Sequence, residues 1–378
     1  MHTTVLFLFV VSTLLIVGLL SYPLISYLRA YFWSNPIQKD LNFQPPVSIL
    51  IACYNEERYI HERITSLLHP DDWIPGSEIL VVSTGSSDGT NSLLETFREN
   101  PAVRLFLEER MTKIEALNKL VPLAQHDYLV FSDCRQLMKK GSIKHLVANL
   151  NDSSVGTVTC TITDTTDRPS FFRRLFLFLA INDSKTSSTF NLYGALYAQR
   201  KAVFRPIPTH LLFDDFFVAV STLAQNKRLV QEEEAVLYDV PFPLYYNAER
   251  IQRLARGLLI FLFNNYALIH AIPWKTRLRL IVYKYLKLVL PLFIVLAIGS
   301  SIFLFSDRLN HPSFIVGILI IIGLISAIKP IRNSLLFLIR LSYYFLAALW
   351  GYAFLNQRSK YWEPLKIRRN WFVVKSSN

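Results

Sequence analysis

The sequence predicts an α/β doubly wound sheet domain set between apolar segments long enough to cross a membrane. Three observations carry this expectation. Successive strands end in polar, acid-bearing loops, helical stretches alternate with those strands, and 52% of the 378 residues are hydrophobic with a mean hydropathy of +0.29. Alternation of strand and helix is the pattern of a parallel sheet covered on both faces. An apolar share above the soluble norm demands membrane segments or a very large core.

Taken in chain order, Thr3 to Leu28 carries no charged residue and is followed by Arg29. It lacks the basic start and small-residue cleavage site of a signal peptide, so it predicts a transmembrane helix over 3–28. Asn35 to about Arg256 is the polar portion and reads as one domain, 35–256. Within it, Val47 to Ala52 predicts a strand that runs into Cys53-Tyr54-Asn55-Glu56-Glu57, with a helical stretch from Arg58 to Leu68. Ile79 to Val82 is apolar and rich in β-branched residues, as a strand buried on both faces should be. It empties into Ser83-Thr84-Gly85-Ser86-Ser87-Asp88-Gly89-Thr90, where two glycines permit unusual backbone angles and hydroxyls cluster at the carboxyl end of the strand. Asp88 fits either an N-cap for the helix from Ser92 to Glu99 or a carboxylate facing a ligand. Tyr128 to Phe131 predicts the next strand, ending in Ser132-Asp133-Cys134-Arg135.

Beyond the domain, Leu258 to Trp274 is short and interrupted by Asn264-Asn265 and Pro273, which predicts an interfacial amphipathic helix over 258–274. The runs 288–306 and 313–328 read as a transmembrane hairpin, and 334–355 as a third spanning helix with Arg340 snorkelling, followed by a basic tail at 356–378. The charge rule leaves the side of the C-terminus open. The net charge of +12 gathers near the membrane-proximal stretches and the tail, which anionic lipid explains better than nucleic acid does, so no nucleic-acid partner is expected. Cys53, Cys134 and Cys160 have neither disulfide nor metal-ligand spacing and suit a reducing cytosol.

The ordered set Tyr54-Asn55-Glu56-Glu57, Ser83 to Thr90, Lys113-Ile114-Glu115-Ala116-Leu117-Asn118, Ser132-Asp133-Cys134-Arg135, Gly194-Ala195-Leu196-Tyr197-Ala198, Asp214-Asp215-Phe216 and Arg250 to Gly257 carries a resemblance. The chain resembles membrane-embedded family 2 glycosyltransferases with a GT-A catalytic domain, the superfamily of cellulose, chitin and hyaluronan synthases. The resemblance implies a multi-pass plasma-membrane protein with its catalytic domain in the cytoplasm. It implies a nucleotide-diphosphate sugar as donor, foremost a UDP-sugar, and a membrane lipid or lipid-linked glycan as acceptor.

The chemistry assigns the residues. A leaving diphosphate must be neutralised, so Asp133 at a strand end is the candidate ligand for Mg²⁺ or Mn²⁺, and Lys113 is the candidate point charge for the phosphates. Inverting transfer needs one base. Asp214 and Asp215 sit together in an apolar context that raises carboxylate pKa, and Asp215 matches the second acid of the family's motif. Tyr54, Glu56, Thr84, Ser86, Asp88 and Arg135 are the other expected donor contacts. With Gly257 setting the register, Arg250 and Arg253 fall where the family clamps the diphosphate; the same spacing also suits a basic face toward lipid phosphate.

Three departures from the pattern matter. Thr84 stands where the family has an acid that reads the nucleobase, which leaves uracil recognition to Asp88, Glu56 or backbone groups. Arg135 stands where a second aspartate would close a D-x-D metal motif. Leu254 replaces the tryptophan kept by processive synthases, so a single transfer is the expected reaction; a processive synthase and a noncatalytic membrane subunit are the alternatives.

Overall fold

The computed structural model describes residues 2–164, 171–211, 213–239 and 247–304, with isolated positions between 332 and 350. The chain opens with helix α1 (His2–Leu20) and α2 (Tyr22–Phe32). The sheet domain follows as β1 (Ser48–Cys53), α3 (Ile60–Leu67), β2 (Glu78–Thr84), α4 (Thr90–Glu95), β3 (Val103–Glu108), α5 (Lys113–Leu123), β4 (Tyr128–Ser132), β5 (Leu137–Met138), α6 (Ser142–Ala148), β6 (Val155–Asp164), α7 (Phe171–Thr186), β7 (Leu196–Arg200), α8 (Asp214–Ala224) and β8 (Arg228–Asp239). After the sheet domain come α9 (Asn247–Asn264), α10 (Tyr266–Ala271), α11 (Trp274–Leu280), a π-helical turn (Ile281–Tyr285) and α12 (Leu290–Leu304).

The eight strands form one sheet in the order β3-β2-β1-β4-β7-β6-β8-β5. Parallel pairing joins β3, β2, β1 and β4, which is the doubly wound half expected from the alternating pattern. The other half is mixed, because β7 runs antiparallel to both β4 and β6. β3 carries the charged Arg104 and the exposed Leu107 at the sheet edge, so its pattern lacks the continuous apolar run that marks β2.

Period-two alternation sorts the strand residues onto two faces. Leu50, Leu80, Val82, Leu129 and Phe131 enter one buried cluster with α5, α8, α9 and α10, while Ile49, Ile51, Ile79, Val81 and Val130 enter another with α3 and α6. Each face is thus dry, which is why these strands contain almost no polar residue before their ends.

The stretch expected as one span over 3–28 is two helices. Pro23 lies in the first turn of α2 and has no N–H to continue α1, so the helix breaks at Ser21. α1 is long and apolar enough to cross a membrane, and it packs along α12. α2 instead docks on α7: the Tyr22 and Ser26 hydroxyls donate to buried Asp183 at 2.9 and 3.0 Å, and Arg279 of α11 pairs with the same carboxylate at 3.2 Å.

The expected single interfacial helix over 258–274 is the end of α9, then α10, then the first residue of α11, with breaks at Asn265 and Pro273. Leu258, Leu259, Phe261, Ile269 and Ile272 of this stretch are buried in the core of the sheet domain, so no boundary falls at 256. α12 lies within the run 288–306. The run 313–328 and the tail 356–378 lie outside the described residues, as does most of 334–355.

Candidate active site

The register from Ser48 opposite Glu78 to Cys53 opposite Ser83 makes β1 and β2 leave the sheet at the same level. Their loops then bind each other. Asn55 takes a left-handed φ of 54°, which asparagine tolerates better than most residues. From there its side-chain oxygen accepts the Ser87 N–H at 2.8 Å, and its own N–H donates to Ser86 Oγ at 3.1 Å. The Glu56 N–H donates to Thr90 Oγ1, and the Gly89 N–H to Glu57 Oε2, both at 2.8 Å. Asp88 accepts from the N–H groups of Thr90 at 3.0 Å and Glu57 at 3.4 Å. Burial works to raise its pKa, but these hydrogen bonds outweigh it and hold the carboxyl below its ordinary value.

Gly85 has φ +68°, donates to the Glu108 carbonyl at 2.8 Å, and leaves only 3.0 Å between a built Cβ and the Arg110 nitrogen. It therefore brings the end of β3 against β2. Tyr54, 39% exposed, carries the Arg110 guanidinium 3.6 Å from its ring centroid. Arg110 Nη1 donates to Thr84 Oγ1 and to the Met111 carbonyl, each at 3.0 Å.

The second half of the site is built on β4, α5 and α8. A capping box opens α5, with Thr112 Oγ1 accepting the Glu115 N–H at 3.2 Å and Glu115 accepting the Thr112 N–H at 2.7 Å. That fixes Lys113 as the first helical residue, with Nζ 2.7 Å from Asp133 Oδ1 and 3.5 Å from Asp214 Oδ2. Asp133 follows β4, its N–H donating to the Ala195 carbonyl at 2.8 Å. Asp214 and Asp215 open α8, and Asp215 Oδ1 accepts the Phe216 N–H at 2.7 Å.

Burial and the neighbouring charge of Asp214 push Asp215 up to about 6, against the opposing pull of the Phe216 N–H, Lys284 and Lys113. Burial alone lowers the Lys113 ammonium, but the Asp133 and Asp214 carboxylates outweigh it and its pKa is raised. Lys284 comes from a π-helical turn, Ile281–Tyr285, between α11 and α12. Its Nζ donates to Asn191 Oδ1 at 2.9 Å and lies 5.5 Å from the Phe216 ring centroid. Burial lowers it to about 8, although Asp215 holds it up. Between the two halves, Arg135 grips Glu56 with Nε and Nη2, each at 2.7 Å. Burial raises Glu56, and the Arg135 bonds only partly offset that.

The structure thus brings together Lys113, Asp133, Asp214 and Asp215 in one cluster, and joins Glu56 to Arg135. It uses Ser86 and Asp88 to tie the loops; the N-cap position of α4 is Gly89, so the N-cap expected of Asp88 is not what its carboxylate does. Thr84 and Tyr54 meet at Arg110. The side chains of Arg250 and Arg253 lie outside the described residues. Gly257 does set the register of α9: a Cβ there would overlap the ring of Phe213, the residue immediately before the acid pair. Arg110 and Lys284 were not legible as site residues. Each is an isolated cation with no motif, and only the packing of β3 against β2, or of the π-turn against α8, places it.

Residues 48–217 match the family described as Glycosyl transferase family 2. Poly-beta-1,6-N-acetyl-D-glucosamine synthase of Staphylococcus aureus (strain COL) is 27% identical over 139 residues, which are 34% of this chain and 33% of that protein. The synthase of the same name from Staphylococcus epidermidis is 32% identical over 88 residues, 23% of this chain and 21% of that one. The chain thus matches about a third or less of the length of these relatives. The mannosyltransferase PcManGT from Pyrobaculum calidifontis, solved in complex with GDP-Man and Mn²⁺, shares the fold with a TM-score of 0.71 at 24% identity, over 91% of this chain and 99% of that one. The parallel half-sheet, the ordered motifs and these likenesses agree: residues 48–217 match a glycosyltransferase family 2 domain, and the chain shares a GT-A-like fold.

Proposed function

We propose that the chain moves a sugar from a nucleotide-diphosphate donor to a membrane-associated lipid or glycan acceptor, with inversion, and with Asp215 as the general base. The observation that carries this reading is the cluster at the start of α8. A carboxylate raised to about 6 sits beside a second acid, within reach of the fields of two ammonium groups. A base poised near neutrality takes a hydroxyl proton most effectively there, and helix packing holds it rigidly. Lys113, fixed by the capping box, meets the departing diphosphate as a point charge. Arg250 and Arg253 are proposed to clamp the same group, since the contact of Gly257 with Phe213 aligns α9 on the acid pair.

The donor set fits a metal held by one carboxylate. Asp133 Oδ1 is taken by Lys113, and its Oδ2 makes no hydrogen bond to a described residue. Among the described residues no group of three or more His, Cys, Asp or Glu could hold an ion, so a full protein cage is not the design. Mg²⁺ and Mn²⁺ accept one or two carboxylates plus phosphate oxygens. Bound there, such an ion would neutralise charge on the leaving diphosphate. Glu56 engages Arg135, so Arg135 is kept from closing on Asp133 and its positive charge remains near the phosphates.

The proposed setting is a multi-pass protein of the plasma membrane with the sheet domain cytoplasmic, anchored by α1 and the apolar runs 288–306, 313–328 and 334–355. α12 packed on α1 supports it. The likeness to a polysaccharide synthase favours a processive variant as second reading, whereas Leu254, 36% exposed on α9 where the synthases carry tryptophan, favours a single transfer. Both are tested by incubating the purified chain and a membrane lipid extract with nucleotide-diphosphate sugars and Mg²⁺ or Mn²⁺. Release of nucleoside diphosphate, abolished by chelation and by Asp215→Asn, is the expected result. No release from any donor overturns the proposal, and product length separates one transfer from many.

A further inference from the structure

Three strand ends meet where a nucleobase would lie, and their chemistry is selective. Tyr54 follows β1, Thr84 ends β2 and Arg110 follows β3, all at the carboxyl edge of the parallel strands. The guanidinium lies at stacking distance, 3.6 Å, from the Tyr54 ring. Nη1 is spent on Thr84 Oγ1 and the Met111 carbonyl. The remaining edge, Nε and Nη2, makes no hydrogen bond to any described residue and is the edge of arginine that binds two acceptors at once. A base paired with that fork would lie beside the guanidinium that covers the Tyr54 ring.

Three carboxylates at these strand ends, Asp88, Glu56 and Glu108, are already engaged. Uracil presents an N3–H between two carbonyls, so it calls for an acceptor. Asp88 is bound to Thr90 and Glu57, Glu56 to Arg135, and Glu108 to Lys119 at 2.6 Å. The Thr84 hydroxyl oxygen already accepts from Arg110. Two parallel N–H donors facing a C=O and an N–H would set one pair against each other. Guanine instead offers O6 and N7, adjacent acceptors with no donor between them, which is the pairing arginine makes most often with a base.

We infer that Arg110, anchored by Thr84, is a specificity-determining residue that reads guanine through O6 and N7, so the donor is a GDP-sugar and not the UDP-sugar expected from the resemblance. This rests on the glycosyltransferase reading above. The test is titration of the 378-residue chain, purified in detergent with Mn²⁺, against GDP, UDP and CDP. GDP is expected to bind tightest. Arg110→Ala should weaken GDP about 5- to 150-fold, the range of one bidentate base contact, and leave UDP within about threefold. Arg110→Lys, which keeps the charge but loses the fork, should narrow the GDP-to-UDP preference equally. The double variant Thr84→Asp, Arg110→Ala should move the preference toward UDP. UDP or CDP binding as tightly as GDP, or an unmoved ratio in Arg110→Lys, overturns the guanine assignment while leaving the transferase reading intact. Failure of all three diphosphates to bind overturns both.

Discussion

The two halves of the crevice are built on opposite principles. On β1 and β2, the polar groups satisfy one another: Asn55 with Ser86 and Ser87, Glu57 with Gly89, and Asp88 with Thr90. On β4, α5 and α8, three carboxylates crowd around Lys113, and among the described residues Lys284 has one neutral hydrogen-bond partner. The first arrangement lowers a carboxylate pKa and makes the loops rigid. The second raises one to about 6. On the proposed function, the satisfied half is the scaffold and the half with crowded charge carries the chemistry.

The sharpest way to break this contrast is Asp215→Asn. Nucleotide-diphosphate release should fall by about 10²- to 10⁴-fold, the usual contribution of a general base, with donor affinity retained in a binding titration. Activity near the parent level would remove Asp215 from the chemistry. Next in size is Gly257→Ala, which drives a methyl into the Phe213 ring. Overpacking of this kind costs about 1–3 kcal/mol, so the melting temperature should drop and transfer should fall with it. Adding Phe213→Leu should restore both, and failure of that rescue would mean the contact does not set α9.

The pH dependence sharpens the comparison further. With Asp215 at about 6, transfer should be lost as pH falls through that value, because the base must be ionised. Lys284→Met removes a charge that favours the carboxylate and should move this limb to higher pH; an unmoved limb would show that Lys284 is outside its field. The two halves should also differ in stability. Asp215 is raised in the fold, so its ionisation lowers stability as pH rises from about 4 through about 6, and Asp215→Asn should remove that slope. Asp88 is lowered in the fold, so its contribution is present above the ordinary carboxylate range and lost as pH falls below it.

The smallest expected effect is Asp88→Ala. It should lower stability by about 0.5–1.5 kcal/mol, the worth of a hydrogen bond, and leave turnover within a few fold. Loss of turnover as large as that of Asp215→Asn would erase the distinction between the two halves. Thermal melts and initial rates on the same samples make the comparison.

How much was legible in the sequence follows from the range of each interaction. The apolar β-branched run of β2 and the acid-tipped ends of β1 and β4 report burial on both faces and a polar edge, so the parallel half-sheet and Asp133, Asp214, Asp215 and Lys113 could be read directly. A capping box spans only four residues, and it is what fixes Lys113. β7 could not be oriented, because a short strand has the same pattern in either direction.

By itself, then, the sequence determined polar ends on parallel strands, an acid cluster beside them, and an apolar first helix, since local patterning is sufficient for each. The tertiary structure decided the rest. Only packing across residues far apart in the chain breaks the first apolar run onto Asp183, folds α9 and α10 into the domain core, spends Asp88 on Thr90 and Glu57, and brings Arg110 to Tyr54 and Lys284 to Asp215. A single cation has no sequence period, and what it faces is set by the chain folded against it.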